Sequence, residues 1–249
     1  MPEKQEQEKK LQIKMPSIDE LAKSGAHLGH KTTKRMPKME PYIYGIKNTI
    51  HVIDLEKTVI KLREAAEFLF KVAAAGETIL LVGTKPAAKG IIKKYAQELG
   101  LPYVTERWLG GTLTNFSSIS ALIKKFNKMK EDERAGDWDK YTKKEQLEME
   151  KELTRLEKLI GGVKDLSKKP EAIYLIDLQK EKIVLREAQR SQIPIVAMVD
   201  TNSNPELVDY PIPVNDDAIK AIDLITNTLA QAIKKGQEQQ LKNVKTKKD

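Results

Sequence analysis

His27-Leu28-Gly29-His30 sets two imidazoles beside Lys31, Lys34 and Arg35, joining metal-ligand nitrogens to phosphate-binding cations within nine residues. Farther along, Asp177 and Asp200 each follow a short apolar run that reads as a strand, and Asp217 opens the last helical pattern. Open α/β sheets bind ligands at the carboxyl ends of their strands, so His30, Asp200 and Asp217 are candidate ligands for a divalent metal such as zinc. The same aspartates suit turns and helix starts, where a carboxylate accepts from local amides. No cofactor is required by the pattern, and no nucleophile stands with a base as an enzyme would need.

Gly83-Thr84-Lys85 follows an apolar strand as a phosphate loop would, but no Gly-Lys-Ser/Thr and no G-x-G-x-x-G occurs, so nucleotide binding has no motif behind it. Lys85 and Lys89, at a helix start, still suit a nucleic-acid phosphate. Arg107-Trp108-Leu109-Gly110-Gly111-Thr112-Leu113-Thr114-Asn115-Phe116 is the most unusual stretch. A cation, a large aromatic, a glycine pair and short hydrogen-bonding side chains can stack on a base and bond phosphate or ribose. The same inventory fits a tight connection with Trp108 and Phe116 packed inside, and composition leaves the two readings even.

The elements that must position these residues come from a chain of 249 residues, 40% hydrophobic and without cysteine. That composition allows a substantial core and excludes disulfides, thiolate metal sites and a cysteine nucleophile. The uncharged stretch Leu109–Ile123 is rich in Gly, Thr, Ser and Asn and falls short of the about 20 apolar positions of a membrane span. The first 16 residues lack the apolar centre of a signal peptide, so a cytoplasmic protein is expected, with 1–16 a flexible extension. The net charge of +8 favours a polyanionic partner. Its cations concentrate: Lys23, Lys31, Lys34, Arg35, Lys38 and Lys47 stand against Glu40 alone, and Lys85, Lys89, Lys93 and Lys94 share their segment with no acid. One lysine run is ordinarily a solvated face, but two beside strand ends favour nucleic acid.

Ser17 and Glu20 have capping-box spacing for a short helix closed near Gly25, followed by a basic loop. Extended pieces at 42–46 and 50–55 precede a helix with Val59, Leu62, Ala66, Leu69 and Val72 on one face. Strands at 78–82, 103–105, 172–176, 195–199 and 212–214 then alternate with helices at 87–99, 180–191 and from Asn215, which argues for one doubly wound α/β domain over 17–235. The interruption at about 115–169 is too charged for the sheet layers. Ile119, Leu122, Phe126 and Met129, then Met149, Leu153, Leu156, Ile160 and Val163, form two narrow heptad seams that predict a projecting helical, coiled-coil hairpin. The Gln- and Lys-rich end, 236–249, reads as a disordered basic tail.

H-L-G-H at 27–30, R-W-L-G-G-T-L-T-N-F at 107–116, V-D-T-N-S-N-P at 199–205 and N-D-D-A-I at 215–219, in that order around a charged insertion, closely resemble the bacterial small-subunit ribosomal protein two family. The resemblance runs from about Ser17 to Gly236. It implies a flavodoxin-like sheet of five strands with a projecting hairpin, in a structural constituent of the small ribosomal subunit and not an enzyme. It also implies binding to small-subunit ribosomal RNA, contact with neighbouring ribosomal proteins, and help in docking small-subunit protein one for translation. No membrane and no small-molecule substrate are expected. The RNA contacts expected are Lys31, Lys34, Arg35, Lys38, Lys85, Lys89, Arg107, Trp108, Thr112, Thr114 and Asn115. The competing class is a metal-dependent hydrolase or nucleotide-binding enzyme using Asp177, Asp200, Asp217 and His30 at the same sheet edge.

Overall fold

The computed structural model describes residues 13–245. A short helix, α1 (Ile18–Lys23), carries the expected capping box: Ser17 Oγ accepts from the Glu20 amide while Glu20 accepts from the Ser17 amide. Three strands follow, β1 (Leu28–Lys31), β2 (Ile43–Lys47) and β3 (Ile50–Ile53), forming an antiparallel sheet in the order β1-β3-β2. The segment expected as a basic loop therefore begins as a strand. Gly29 makes the pairing feasible, because a Cβ there would lie 2.6 Å from the Thr201 methyl, and the His30 amide donates to Thr201 Oγ1 at 2.8 Å.

The second sheet is parallel, with β4 (Ile79–Val82), β5 (Tyr103–Val104), β6 (Ala172–Ile176), β7 (Ile195–Val199) and β8 (Tyr210–Pro213) in the order β5-β4-β6-β7-β8. Every residue of β4, β6 and β7 is buried, which is why they read as unbroken apolar runs. Alternate side chains feed two cores. Ile79, Leu81, Tyr174, Val196 and Met198 pack under α2 (Leu55–Ala74), α3 (Pro86–Leu99) and α7 (Ile219–Lys245). Leu80, Val82, Ile173, Leu175, Ile195, Ala197 and Val199 pack on the other face against α6 (Lys182–Arg190), the 36–43 segment and the 108–119 connection.

The insertion is two helices, α4 (Phe116–Arg134) and α5 (Lys143–Ile160), joined through a tight 3-10 turn at Asp137–Lys140 that buries Trp138. A second capping box, between Thr142 and Glu145, starts α5. Lys125–Glu152 and Lys130–Glu157 ion pairs cross between the helices. The buried set is wider than the two seams expected, since Ile123 joins Ile119 and Phe126 while Leu122 and Met129 are only partly covered. Moreover Ile119, Ile160, Val163 and Leu166 belong to the same core as the sheet face, so the base of the pair covers the sheet. Gly162 sits so close to edge strand β5 that a Cβ would collide with the Tyr103 carbonyl oxygen.

Two terminal expectations change. Helix α7 runs through Gly236 to Lys245, so the described part of the tail is helical and not disordered. Gly236 acts there as a point of close approach, its would-be Cβ lying 2.6 Å from the Phe70 carbonyl oxygen, and Gln237 Nε2 donates to Leu99 O at 3.0 Å. At the other end Ile13 and Met15 pack on the first core, so the extension is anchored at 13–16, and residues 1–12 lie outside those described.

Candidate functional site

The carboxyl ends of four parallel strands deliver the titratable residues to one edge. Beyond β4 comes Gly83-Thr84-Lys85, beyond β6 Asp177, beyond β7 Asp200, and beyond β8 Asn215-Asp216-Asp217. Asn215 fixes the last group: its Oδ1 accepts from the Asp217 and Ala218 amides at 2.9 and 3.3 Å, while its Nδ2 donates to Gly25 O at 3.0 Å. One side chain thus caps the turn into α7 and holds the loop that leads to His30.

His30, Asp200 and Asp217 are brought together, with one donor atom from each lying within 4.8 Å of the others. His30 Nδ1 is 3.1 Å from Asp200 Oδ2, and Nε2 is 3.7 Å from Asp217 Oδ2 and 3.2 Å from Asn202 Nδ2. The side-chain contact with Asp200 raises the His30 pKa above its usual value, against the opposing effect of burial. Asp200 Oδ2, in a residue 1% exposed, meets no donor other than this imidazole nitrogen. Asp200 Oδ1 by contrast accepts from the Thr201 amide at 2.5 Å.

Lys85 lies at the centre of a second, adjoining cluster. Its Nζ is 2.6 Å from Asp216 and from Asp217 and 3.3 Å from Asp177. Burial disfavours the ammonium, but these carboxylates more than offset it and hold the Lys85 pKa above its normal range. Burial, with Asp200 and Asp177 nearby, pushes Asp216 up to about 7. Four carboxylates around this crevice oppose a nucleotide phosphate, so the nucleotide-binding alternative loses its site. Lys85 itself is committed to these carboxylates and leaves the expected set of RNA contacts.

The 107–116 connection is built around a carboxylate from outside the motif, far along the chain. Glu187, on α6, accepts from Trp108 Nε1 at 3.2 Å, from the Gly111 amide at 2.8 Å and from the Leu113 amide at 3.0 Å, with Thr114 N and Oγ1 each at 3.4 Å. Burial raises its pKa, but the converging amides prevail and hold it below the usual carboxylate range. Trp108 is consequently packed inside, and Thr112 is buried with its hydroxyl donating to Leu109 O at 2.6 Å. Neither is available to stack on a base or bond a ribose, which corrects both expectations. The one signal lay in spacing: Glu187 falls on the buried stripe that also carries Val184 and Ala188.

The remaining expected contacts are on the surface. Lys31 and Lys34 are exposed and form no ion pair among the described residues. Arg35 pairs with Glu40 at 2.5 Å, Lys38 with Glu206 at 2.9 Å and Lys89 with Glu106 at 2.6 Å, all partly or well exposed. Such pairs contribute about 0–1 kcal/mol, so a phosphate can replace the carboxylate. Arg107, Thr114 and Asn115 face solvent at the rim of the Glu187 loop.

The family model for Ribosomal protein S2 matches residues 21–236. Among curated relatives, small ribosomal subunit protein uS2 of Salinibacter ruber is 46% identical over 233 residues, covering 93% of this chain and 73% of that protein. The uS2 protein of Chloroherpeton thalassium is 49% identical over 216 residues, covering 87% and 86%, and that of Porphyromonas gingivalis is 47% identical over 220 residues, covering 88% and 78%. The matched span takes in the His30 loop, the Glu187-held connection and all five parallel strands, and on that agreement the chain belongs to the ribosomal protein S2 family.

Proposed function

We propose that this chain, as a structural and non-enzymatic component of the small ribosomal subunit, binds small-subunit ribosomal RNA through the exposed cations of its 31–38 segment. The family supplies the subunit, the ribosome and its cytoplasmic location. No helix among the described residues is long and apolar enough to cross a membrane. The observation that carries the RNA reading is the placement of Lys31 and Lys34 on an exposed, acid-poor segment without internal partners. Arg35, Lys38, Lys89 and the Arg107, Thr114 and Asn115 rim supply further contacts. Phosphate contacts give affinity and the folded shape of the RNA gives specificity. The strand order supports a flavodoxin-like sheet, and the crossing ion pairs of α4 and α5 support a coiled-coil arm. The test is co-sedimentation of the purified protein with small subunits lacking it, beside an assay for phosphoester turnover. Binding without turnover supports the reading, and turnover without binding would revive the hydrolase alternative.

A second reading concerns the His30, Asp200 and Asp217 cluster. The buried Asp200, with one nitrogen and two carboxylates converging, fits the donor set of a divalent cation such as zinc. Three protein ligands leave a coordination position that a neighbour such as small-subunit protein one could fill, which is how this face would help to dock it. Metal analysis of the purified protein decides the point: stoichiometric metal lost in His30→Ala supports the site, whereas metal-free protein that binds protein one at full strength removes it.

A further inference from the structure

The charges on α6 are sorted by direction. The acids point inward: Glu181, just before the helix, accepts from the Thr84 amide at 3.1 Å and from its hydroxyl, and Glu187 is engaged by the 108–114 loop. The cations point outward. Lys182, Arg186 and Arg190 stand at i, i+4 and i+8, one helical turn apart, all exposed and none in an ion pair among the described residues. They form a stripe about 12 Å long.

Hydrogen bonds link the helix that carries this stripe to the basic segment already described. Gln189 of α6 donates to Leu207 O at 2.9 Å, and Glu206 of the same turn accepts from Lys38, so the 205–207 turn joins α6 to residues 31–38. On the other side Glu187 grips Trp108, and exposed Arg107 is the residue just before it. Met39, Trp108, Val184 and Leu185 share one core beneath, so the 36–43 segment, the 108–119 connection and α6 all cover the same sheet face.

We infer that the outer face of α6, Lys182, Arg186 and Arg190, together with Arg107, is a docking surface for the sugar–phosphate backbone of ribosomal RNA. It rests on the RNA-binding reading and extends it to residues outside the 31–38 segment. An acidic protein is the competing partner, but protein interfaces centre on buried aromatic and apolar anchors, and the one large apolar side chain that α6 exposes is Ile183. Three guanidinium forks and an ammonium around a single exposed isoleucine suit phosphate oxygens better.

The experiment measures affinity of the full chain for transcribed small-subunit ribosomal RNA across a salt series. Lys182→Gln, Arg186→Gln and Arg190→Gln together should weaken binding and reduce the log–log salt slope by about two to three. The charge-keeping Arg186→Lys/Arg190→Lys protein should retain most of the slope, and equal melting temperatures would show that neither variant has lost its fold. If the Gln variant binds as the parent does while Lys31→Ala/Lys34→Ala/Arg35→Ala flattens the slope, the α6 surface is overturned and the RNA reading survives. If the parent itself binds this RNA without salt dependence, both fall. A Gln variant that keeps its RNA affinity but loses a small-subunit protein overturns the inference in favour of an acidic protein partner.

Discussion

Glu187 illustrates how much one buried carboxylate can organise. Five donor contacts from Trp108, Gly111, Leu113 and Thr114 converge on it, so the shape of the connection is held by an acceptor on a different element. Glu187→Gln keeps the size of the side chain but turns one acceptor into an NH2 group facing amide donors. We expect a loss of about 1.5–3 kcal/mol, read from urea unfolding at pH 7. The sign of its pH dependence follows from the depressed pKa: the carboxylate contributes fully above its unfolded value of about 4.5, and the contribution is lost as pH falls through the lower folded value. The gap between parent and variant should therefore be widest near neutrality and close in acid; a gap that is constant down to acid unfolding would mean that the charge is not what holds the loop. Gly162→Ala makes a separate demand, because its methyl would strike the Tyr103 carbonyl on the edge strand. It should lower the melting temperature, whereas Gly110→Ala, with open space around its Cβ position, should not.

At the scale of elements the inserted pair of helices divides into an arm and a base. The 3-10 turn that buries Trp138 packs on α4 and the 161–163 turn packs on edge strand β5, within one core that runs on into the sheet face. Replacing residues 128–151 with a short Gly-Ser linker should leave cooperative melting near the parent temperature, since the Lys125–Glu152 pair shows that the cut ends lie close. Removing all of 122–169 strips Val163, Leu166 and the Gly162 cover from β5, and should cost several kcal/mol or cooperativity itself. Equal melting of the two deletions would contradict this division. The two inserted helices were legible in the sequence because their apolar spacing is local, and β4, β6 and β7 were legible because burial on both faces leaves only apolar side chains. What escaped was non-local. Strand β1 depends on Gly29 meeting Thr201, and the tail of α7 depends on Gly236 meeting Phe70, where the glycine reads as a stop until its neighbour is known. The convergence of His30, Asp200 and Asp217 was legible because strand ends and a helix start meet by topology alone, whereas the inward turn of Trp108 and Thr112 needed Glu187 in view.

The whole molecule is two-sided. One sheet face lies under α2, α3 and α7, whose surfaces mix signs, and the other lies under the 36–43 segment, α6 and the Glu187 connection, which together present Arg107 and the basic segment at residues 31–38. Between them, the carboxyl edge is acidic and engages its own cation, Lys85, so it contributes little to attracting RNA. If phosphate contact is confined to one side, salt sensitivity must be confined there too, because released counterions count only the phosphates actually met. Lys31→Ala/Lys34→Ala/Arg35→Ala should therefore flatten the log–log salt dependence of binding to small-subunit ribosomal RNA by about two to three. Arg63→Ala/Lys71→Ala, removing two exposed cations of α2 on the opposite side, should leave it unchanged. Both variants lower the net charge, so a response to each in proportion to charge removed would mean that the whole protein acts as a diffuse cation. Response to the first alone would tie binding to a face.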